Sequence, residues 1–183
     1  CYRTERAAPL NQACTEMPET FLIADTHFGH ANILRYEAAN RPFADVAAHD
    51  AALIERWNGR VGPHDTVWVL GDFAWSPEAA RAALSALKGR IHLVMGDHDR
   101  RWLGGEGLRF DAVAEVHGAV KFARGTLLSH VPAVLGPKYA RNVHGHTHGR
   151  SVAGGAHVCV SVEHTALAPL TWTEVRGRFG DGG

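Results

Sequence analysis

The sequence predicts an α/β (α+β) protein on three observations. In its first half, short apolar runs alternate with stretches of helical periodicity, the pattern of parallel strands joined by right-handed crossovers. From Ala112 onward the chain breaks into closely spaced strand-like pieces punctuated by glycine, as in a largely antiparallel second or continued sheet. Five of the apolar runs lead into fragments that carry Asp or His. Ligand-type side chains therefore fall where strands end and loops begin, the place where open α/β sheets carry their chemistry.

Each element has a local reason. Thr20–Ala24 is an apolar run ending at Asp25, consistent with a buried strand. Asp45–Trp57 sets Val46, Leu53, Ile54 and Trp57 at helical spacing, with Asp45 as N-cap and Asn58-Gly59 as the stop. Thr66–Leu70 is the next buried strand and delivers Gly71-Asp72. Ser76-Pro77 opens a second helix with proline at its first position, and Lys88-Gly89 ends it. Ile91–Met95 delivers Gly96-Asp97-His98. Strand-like pieces follow at Ala112–Val116, Ala119–Phe122, Thr126–Ser129, Asn142–His144, Ala156–Val162 and Leu170–Val175, and the tail from Arg176 to Gly183 reads as frayed.

Composition bounds the class. Residues 1–16 lack periodicity and read as a flexible extension, leaving residues 17–183 as a single domain. A hydrophobic fraction of 45% and a charged fraction of 21% are those of an ordinary globular protein, and a formal net charge of zero argues against a broad basic face for nucleic acid. Three cysteines, Cys1, Cys14 and Cys159, form no C-x-x-C pair and no even framework of disulfides, which suits a reducing cytoplasm. No run approaches the ~18 apolar residues of a membrane span. The expectation is a cytoplasmic protein with no membrane and no obligate protein partner.

The composition departs from average in its 13 histidines, about half of which lie in the fragments at strand ends. Those fragments are Asp25-Thr26-His27, Gly71-Asp72, Gly96-Asp97-His98-Asp99, Ser129-His130 and His144-Gly145-His146-Thr147-His148. Carboxylates mixed with imidazoles suit borderline divalent ions such as Mn, Fe, Zn, Co or Ni rather than an all-oxygen calcium site. Asp25 and His27 are two apart, so on a regular strand both would face one ion. The glycines before Asp72, Asp97 and His146 allow sharp turns and close approach of backbone to metal.

The ordered set D-x-H, G-D, G-x-H-[DE], H, G-H-x-H resembles the calcineurin-like metallophosphoesterase superfamily, over most of the chain from Asp25 to His148. The surrounding wording (DTHFGH, RPF, LGDFA and the late HVCVSVE) is similar to its compact bacterial and phage phosphoesterases. The resemblance implies a four-layer αββα sandwich, two mixed β-sheets flanked by helices. It implies two divalent metal ions, Mn first. Asp25, His27, Asp72 and His148 would serve one, and Asp72, Asp97, His130 and His146 the other, with Asp72 bridging. It makes His98 catalytic, as the general acid beside the scissile phosphate. The implied reaction is hydrolysis of a phosphodiester or phosphomonoester, a nucleotide or a nucleic-acid end, by water activated at the metals.

Residues around that set stay open. His30, on the Gly29 turn, reads either as a contact to ligands or phosphate or as a plain turn histidine. Asn32 falls in the same group. Arg41 reads as a bidentate phosphate clamp or as a surface arginine. His144 reads as support for the ligands, Asp99 as a hydrogen-bond anchor for its loop, and Trp75 as a wall of the cleft. His49, His64, His92, His117, His157 and His164 read as ordinary. The family's usual G-N-H is Gly96-Asp97-His98 here, which adds a negative charge beside an anionic substrate. That substitution keeps a non-catalytic scaffold or metal-binding member of the same fold as the alternative. The Asp-Arg-Gly of the protein-phosphatase branch is absent after Asp72, which disfavours a phosphoprotein phosphatase.

Overall fold

In the computed structural model, which describes residues 17–103, 113–150, 152 and 154–180, two mixed β-sheets pack face to face with helices beside them. Three apolar runs of the first half form β1 (Thr20–Ile23), β2 (Thr66–Val69) and β3 (Arg90–Val94). They pair parallel in the order β3-β2-β1. Between them lie the short helix α1 (Ile33–Tyr36), then α2 (Val46–Asn58) and α3 (Pro77–Ala86), while the short α4 (Arg100–Leu103) follows β3. The caps act as the sequence suggests: Asp45 accepts from the Ala48 N–H and Ser76 from the Ala79 N–H, with Pro77 at the first helical position.

Both faces of this sheet are covered, which is why its strands read as unbroken apolar runs rather than alternating ones. Ile23, Val67, Val69, Ile91 and Leu93 point to one side and pack with Leu53, Trp57, Ala80 and Trp102. Leu22, Leu70 and Val94 point to the other and pack with Leu128, Val143 and Val158 of the second sheet. Each fully buried aliphatic side chain contributes roughly 1.5–3 kcal/mol of transfer free energy. The period of two along the strands thus welds three layers together.

The second half departs from expectation in ways that matter for the site. The expected strand Ala112–Val116 is β4 (Glu115–His117), and it extends the first sheet in parallel beside β3; Ala112 lies outside the described residues. The second sheet, β5 (Ala119–Lys121), β6 (Thr126–Ser129), β7 (Arg141–His144) and β8 (His157–Cys159), is not largely antiparallel. Only β5–β6 is antiparallel; β6–β7 and β7–β8 are parallel. Long connections rather than tight turns separate β6, β7 and β8, and such connections permit parallel pairing. Strand spacing alone does not reveal this.

The expected strand Leu170–Val175 is β9 (Leu170–Thr171), antiparallel to β1, followed at once by helix α5 (Trp172–Gly177). Thr171 and Glu174 form a capping box, the T-x-x-E signal that decides helix over strand at this point. The tail is not frayed as far as Gly180: Phe179 is buried between the sheets and the Gly180 N–H donates to the Gly155 carbonyl. Residues 181–183 and the expected extension 1–16 lie outside the described residues. Among the described residues, no helix is long and apolar enough to cross a membrane.

Candidate metal centre

Because β1, β2 and β3 run parallel in one sheet and β6, β7 and β8 run parallel in the other, their carboxyl ends meet along one rim. Asp25, Asp72 and Asp97 leave the first three strands; His130, His146 and His148 leave β6 and β7. The two sheets are stitched together here. Ala24 bridges to Ser161 beyond β8, with the Ala24 N–H donating to Val160 O and the Val162 N–H to Ala24 O.

Eight side chains form four overlapping groups whose ligand atoms lie within 4.8 Å of one another: Asp25-His27-His148, Asp25-Asp72-His130, His27-Asp72-His98 and Asp97-His130-His146. Asp25, His27, Asp72 and His130 each belong to two of the groups, and Asp72 faces three imidazoles. Its Oδ2 lies 3.6 Å from His27 Nε2, 3.7 Å from His98 Nε2 and 3.7 Å from His130 Nε2. The seven expected ligands and His98 are thus all brought together, and His98 stands near enough to Asp72 to belong to a ligand group itself. His146 Nδ1 faces Asp97 Oδ2 at 3.6 Å and His130 Nε2 at 3.2 Å.

The backbone is held unusually to achieve this. Asp25, His27, Asp72, His146 and His148 all have positive φ, between 48° and 68°. A left-handed conformation costs a non-glycine residue roughly 1–2 kcal/mol, and such outliers gather at functional sites. The glycine before His146 is there for room rather than φ. A Cβ on Gly145 would lie 2.6 Å from both Ala24 Cβ and Asp25 Oδ2.

The donor atoms fit a metal better than they fit one another. Asp25 Oδ2 accepts from Ser161 Oγ (2.6 Å) and the His146 N–H (2.9 Å), but Asp25 Oδ1 and His27 Nε2 are buried without any partner. Buried polar atoms are rarely left so, and a cation between them satisfies both. The imidazoles are set as ligands. His130 Nδ1 donates to Leu70 O (2.9 Å) and His148 Nδ1 to Glu163 Oε1 (3.0 Å), which leaves Nε2 of each as the lone-pair nitrogen, the one on His130 facing His146 Nδ1. Without a cation, burial pushes the Asp25 carboxyl up to about 6 and holds His27 well below its ordinary value. His148 is raised: burial opposes this, but the Glu163 hydrogen bond and Asp25 outweigh it.

Several residues stand elsewhere than the sequence suggests. Arg41 is neither a surface arginine nor a phosphate clamp. It is buried, with Nε and Nη2 on Glu163 Oε1 (2.9 and 2.6 Å), Nη2 on Asp25 O (2.6 Å), Nη1 on Thr26 O (3.2 Å) and on His49 Nε2 (3.0 Å). An arginine only donates, so His49 accepts at Nε2 and donates from Nδ1 to Asp50. His49, read as ordinary, is part of the centre's support. Glu163 and Ser161 escape the sequence reading, although they follow an apolar run as the other groups do. Asp99 accepts from the Asp72, Phe73 and Gly96 N–H groups and from Trp102 Nε1, anchoring the loops after β2 and β3. His144 is buried and donates from Nδ1 to Gly145 O; Asn32 is exposed and makes no side-chain cap on α1.

The opening of the cluster has an aromatic and cationic wall. Trp75 stacks on His30 (ring centroids 3.7 Å apart), stands 5.1 Å from the His98 ring, and carries Arg101 Cζ 4.1 Å from its own centroid. His30 Nδ1 meets His27 Nδ1 at 3.2 Å. Beside them, Met95, Gly96, Asp97, His98, Arg100 and Arg101 line a depression of about 480 Å³.

Solved structures share this fold. A protein of unknown function from Aquifex aeolicus superposes with a TM-score of 0.67 at 23% identity, over 88% of this chain and 99% of that one. The Pseudomonas putida nuclease MPE does so with a TM-score of 0.50 at 23% identity, over 70% of this chain and 61% of that one. At such identities the likeness is of fold alone. In sequence, an uncharacterized protein of Methanocaldococcus jannaschii is 42% identical over 87 residues, covering 46% of this chain and 48% of that protein. The gene 66 proteins of two Mycobacterium phages are 39% and 37% identical over 90 residues, covering 42% and 41% of their lengths. The chain thus spans less than half the length of the curated relatives it matches. No family model matches it.

Proposed function

We propose that this protein is a dinuclear, metal-dependent phosphodiesterase of the calcineurin-like metallophosphoesterase type, acting on nucleic-acid or nucleotide phosphodiesters. The observation that carries the reading is Asp72 Oδ2, 3.6–3.7 Å from three imidazole nitrogens and a member of two of the four ligand groups. Asp25, His27 and His148 would hold one divalent ion and Asp97, His130 and His146 a second, with Asp72 between them; manganese is the first choice for this oxygen-and-imidazole set. Two such ions, when bound, offset phosphate charge and make water acidic enough to attack phosphorus near neutral pH.

The chain's own residues supply the rest. The His98 N–H donates to Asp72 Oδ1 (2.8 Å), which fixes the loop, while its ring stands partly exposed beside the depression. From there a protonated His98 gives its proton to the leaving oxygen, a contribution of about 10²–10⁴-fold. Arg100 and Arg101 offer cationic donors for phosphate oxygens. Trp75, stacked on His30 and covered by Arg101, holds that guanidinium beside the depression. The nuclease among the structures of similar fold supports a diester over a monoester.

The test is a matrix of metals against bis-p-nitrophenyl phosphate, p-nitrophenyl phosphate and a short single-stranded oligonucleotide, run on the parent and on His98→Ala. The expected result is manganese-stimulated diester cleavage that falls at least a hundredfold in His98→Ala while bound manganese is retained. No cleavage of any phosphoester with any divalent ion would overturn the assignment.

A further inference from the structure

A second group of metal-type ligands lies on β3 and the edge strand β4. His92 on β3 stands directly opposite Glu115 on β4, and His117 follows two residues later on the same face of that strand. Their ligand atoms lie within 4.8 Å of one another. Glu115 Oε2 is 3.3 Å from His92 Nδ1 and 3.1 Å from His117 Nε2. None of the three belongs to the phosphoesterase site, and that reading gives them no work.

Hydrogen bonding accounts for only part of the arrangement. His117 Nε2 can bond Glu115, but His92 Nδ1 is buried and makes no hydrogen bond at all, its approach to the carboxylate being poorly aligned. A three-ligand ion removes that mismatch. With metal bonds of 2.0–2.2 Å, the edges of a tetrahedron are about 3.3–3.6 Å, close to the two separations seen. The cluster is also held ready. Trp68 of β2 packs beside both imidazoles, with ring centroids 4.6 Å from His92 and 5.5 Å from His117.

We propose that His92, Glu115 and His117 form a separate mononuclear site for a borderline divalent ion, zinc first, with a fourth position open to water. Two imidazoles and one glutamate with an open position is a zinc-type set, and it lacks the extra oxygens that magnesium or calcium demands. Half-exposed Glu115 gives the ion a path in from solvent. A bound ion would pin β4, the edge strand of the first sheet, to β3. Only Gly118 separates β4 from β5 of the second sheet, so the same clip would steady the seam between the sheets.

The test uses the whole chain, stripped with chelator and dialysed against limiting free zinc, with bound zinc measured by mass spectrometry after gel filtration. The expected result is one zinc equivalent fewer in a His92→Ala/His117→Ala variant than in the parent, with manganese-dependent hydrolysis of bis-p-nitrophenyl phosphate within twofold of parental. Glu115→Gln, a change at a solvent-facing position that leaves the core intact, should weaken retention of that equivalent at least tenfold. Identical zinc content in the parent and Glu115→Gln across the titration overturns the site, whether or not the double variant folds. The outcome is independent of the phosphoesterase reading, since zinc is counted rather than turnover.

Discussion

Arg41 and Glu163, 122 residues apart in sequence, form an ion pair with both side chains wholly buried, Nη2 lying 2.6 Å from Oε1. The same guanidinium holds the carbonyls of Asp25 and Thr26, and the same carboxylate receives His148 Nδ1. One pair therefore ties the loops after β1 and β7 to the turn after β8, beneath the candidate centre. A buried ion pair is weak evidence for net stability, because desolvation offsets most of its attraction. Its value here is position.

That distinction can be measured. Glu163→Ala leaves a buried guanidinium without its counter-charge and should cost about 3–5 kcal/mol, read as a lower urea midpoint at constant m-value. Glu163→Gln keeps an acceptor but not the charge, so the fold should survive while His148 loses its orienting carboxylate. Manganese affinity should then fall about 10–100-fold. A parental affinity in Glu163→Gln would remove the pair from any role at the centre.

Asp25 predicts a pH dependence whose sign follows from burial. Its carboxyl is pushed up to about 6 when no cation is near, well above its value in an unfolded chain. The folded chain then holds this proton more tightly, so the contribution of Asp25 to stability is complete at acid pH and is lost as pH rises through 6. Asn mimics the protonated form at every pH. In chelator, Asp25→Asn should therefore gain on the parent by roughly 1–2 kcal/mol between about pH 5 and pH 8. Saturating manganese should reverse the order, because the ion favours the carboxylate. Parallel pH profiles of the two proteins in chelator would contradict the burial argument.

The strands, the two long helices and the Asp and His groups that gather at the rim were legible because each rests on local chemistry: apolar runs, N-caps at Asp45 and Ser76, and Asp or His at strand ends. What was not legible rests on long-range pairing. Strand direction in the second sheet is decided by which edges meet, and β6-β7-β8 give no local sign of running parallel. Arg41 shows the same limit, since its burial follows from a partner that stands 122 residues away. Two misses were avoidable. The T-x-x-E of Thr171 and Glu174 is a helix start, and Glu163 sits after an apolar run as the expected ligands do.

Gly96 tests how tightly the site is packed. A Cβ there would lie 2.5 Å from Asp72 Oδ1 and would also clash with the Asp72 backbone nitrogen. Both belong to Asp72, whose carboxylate cannot yield without leaving its neighbours. A shift of about 1 Å at a reacting centre costs on the order of a hundredfold in rate. Gly96→Ala should lose that much manganese-dependent activity while keeping its circular dichroism spectrum, and an activity within threefold of parental would show that Asp72 is not held as tightly as this geometry implies.

Arg101 separates binding from chemistry. Its guanidinium lies over Trp75 on the wall of the depression, while only its backbone N–H, donating to His98 O, is recorded bonding to the ligand cluster. Arg101→Ala should raise KM for an oligonucleotide about tenfold with kcat little changed, the mark of binding that is equal in ground and transition states. The KM of the parent should also climb with salt more steeply than that of the variant. A fall in kcat at constant KM would instead place Arg101 in the chemical step.

Asp97 sharpens the electrostatics of the same opening. Its side chain is the most exposed of the expected ligands, and its Oδ2 stands 3.6 Å from His146 Nδ1. As an aspartate it would bring negative charge to both the proposed second ion and an incoming phosphate. For the ion this is attractive, so Asp97→Asn should weaken manganese retention at that position. For the substrate it is repulsive, by about 1 kcal/mol at 4 Å in a water-like medium. The two effects have opposite signs and separate cleanly by metal concentration. At limiting manganese Asp97→Asn should be the slower protein; at saturating manganese it should be the faster, with KM for the diester lowered about fivefold. A variant slower under both conditions would show that the aspartate is required as a ligand, and that its charge does not hinder the substrate.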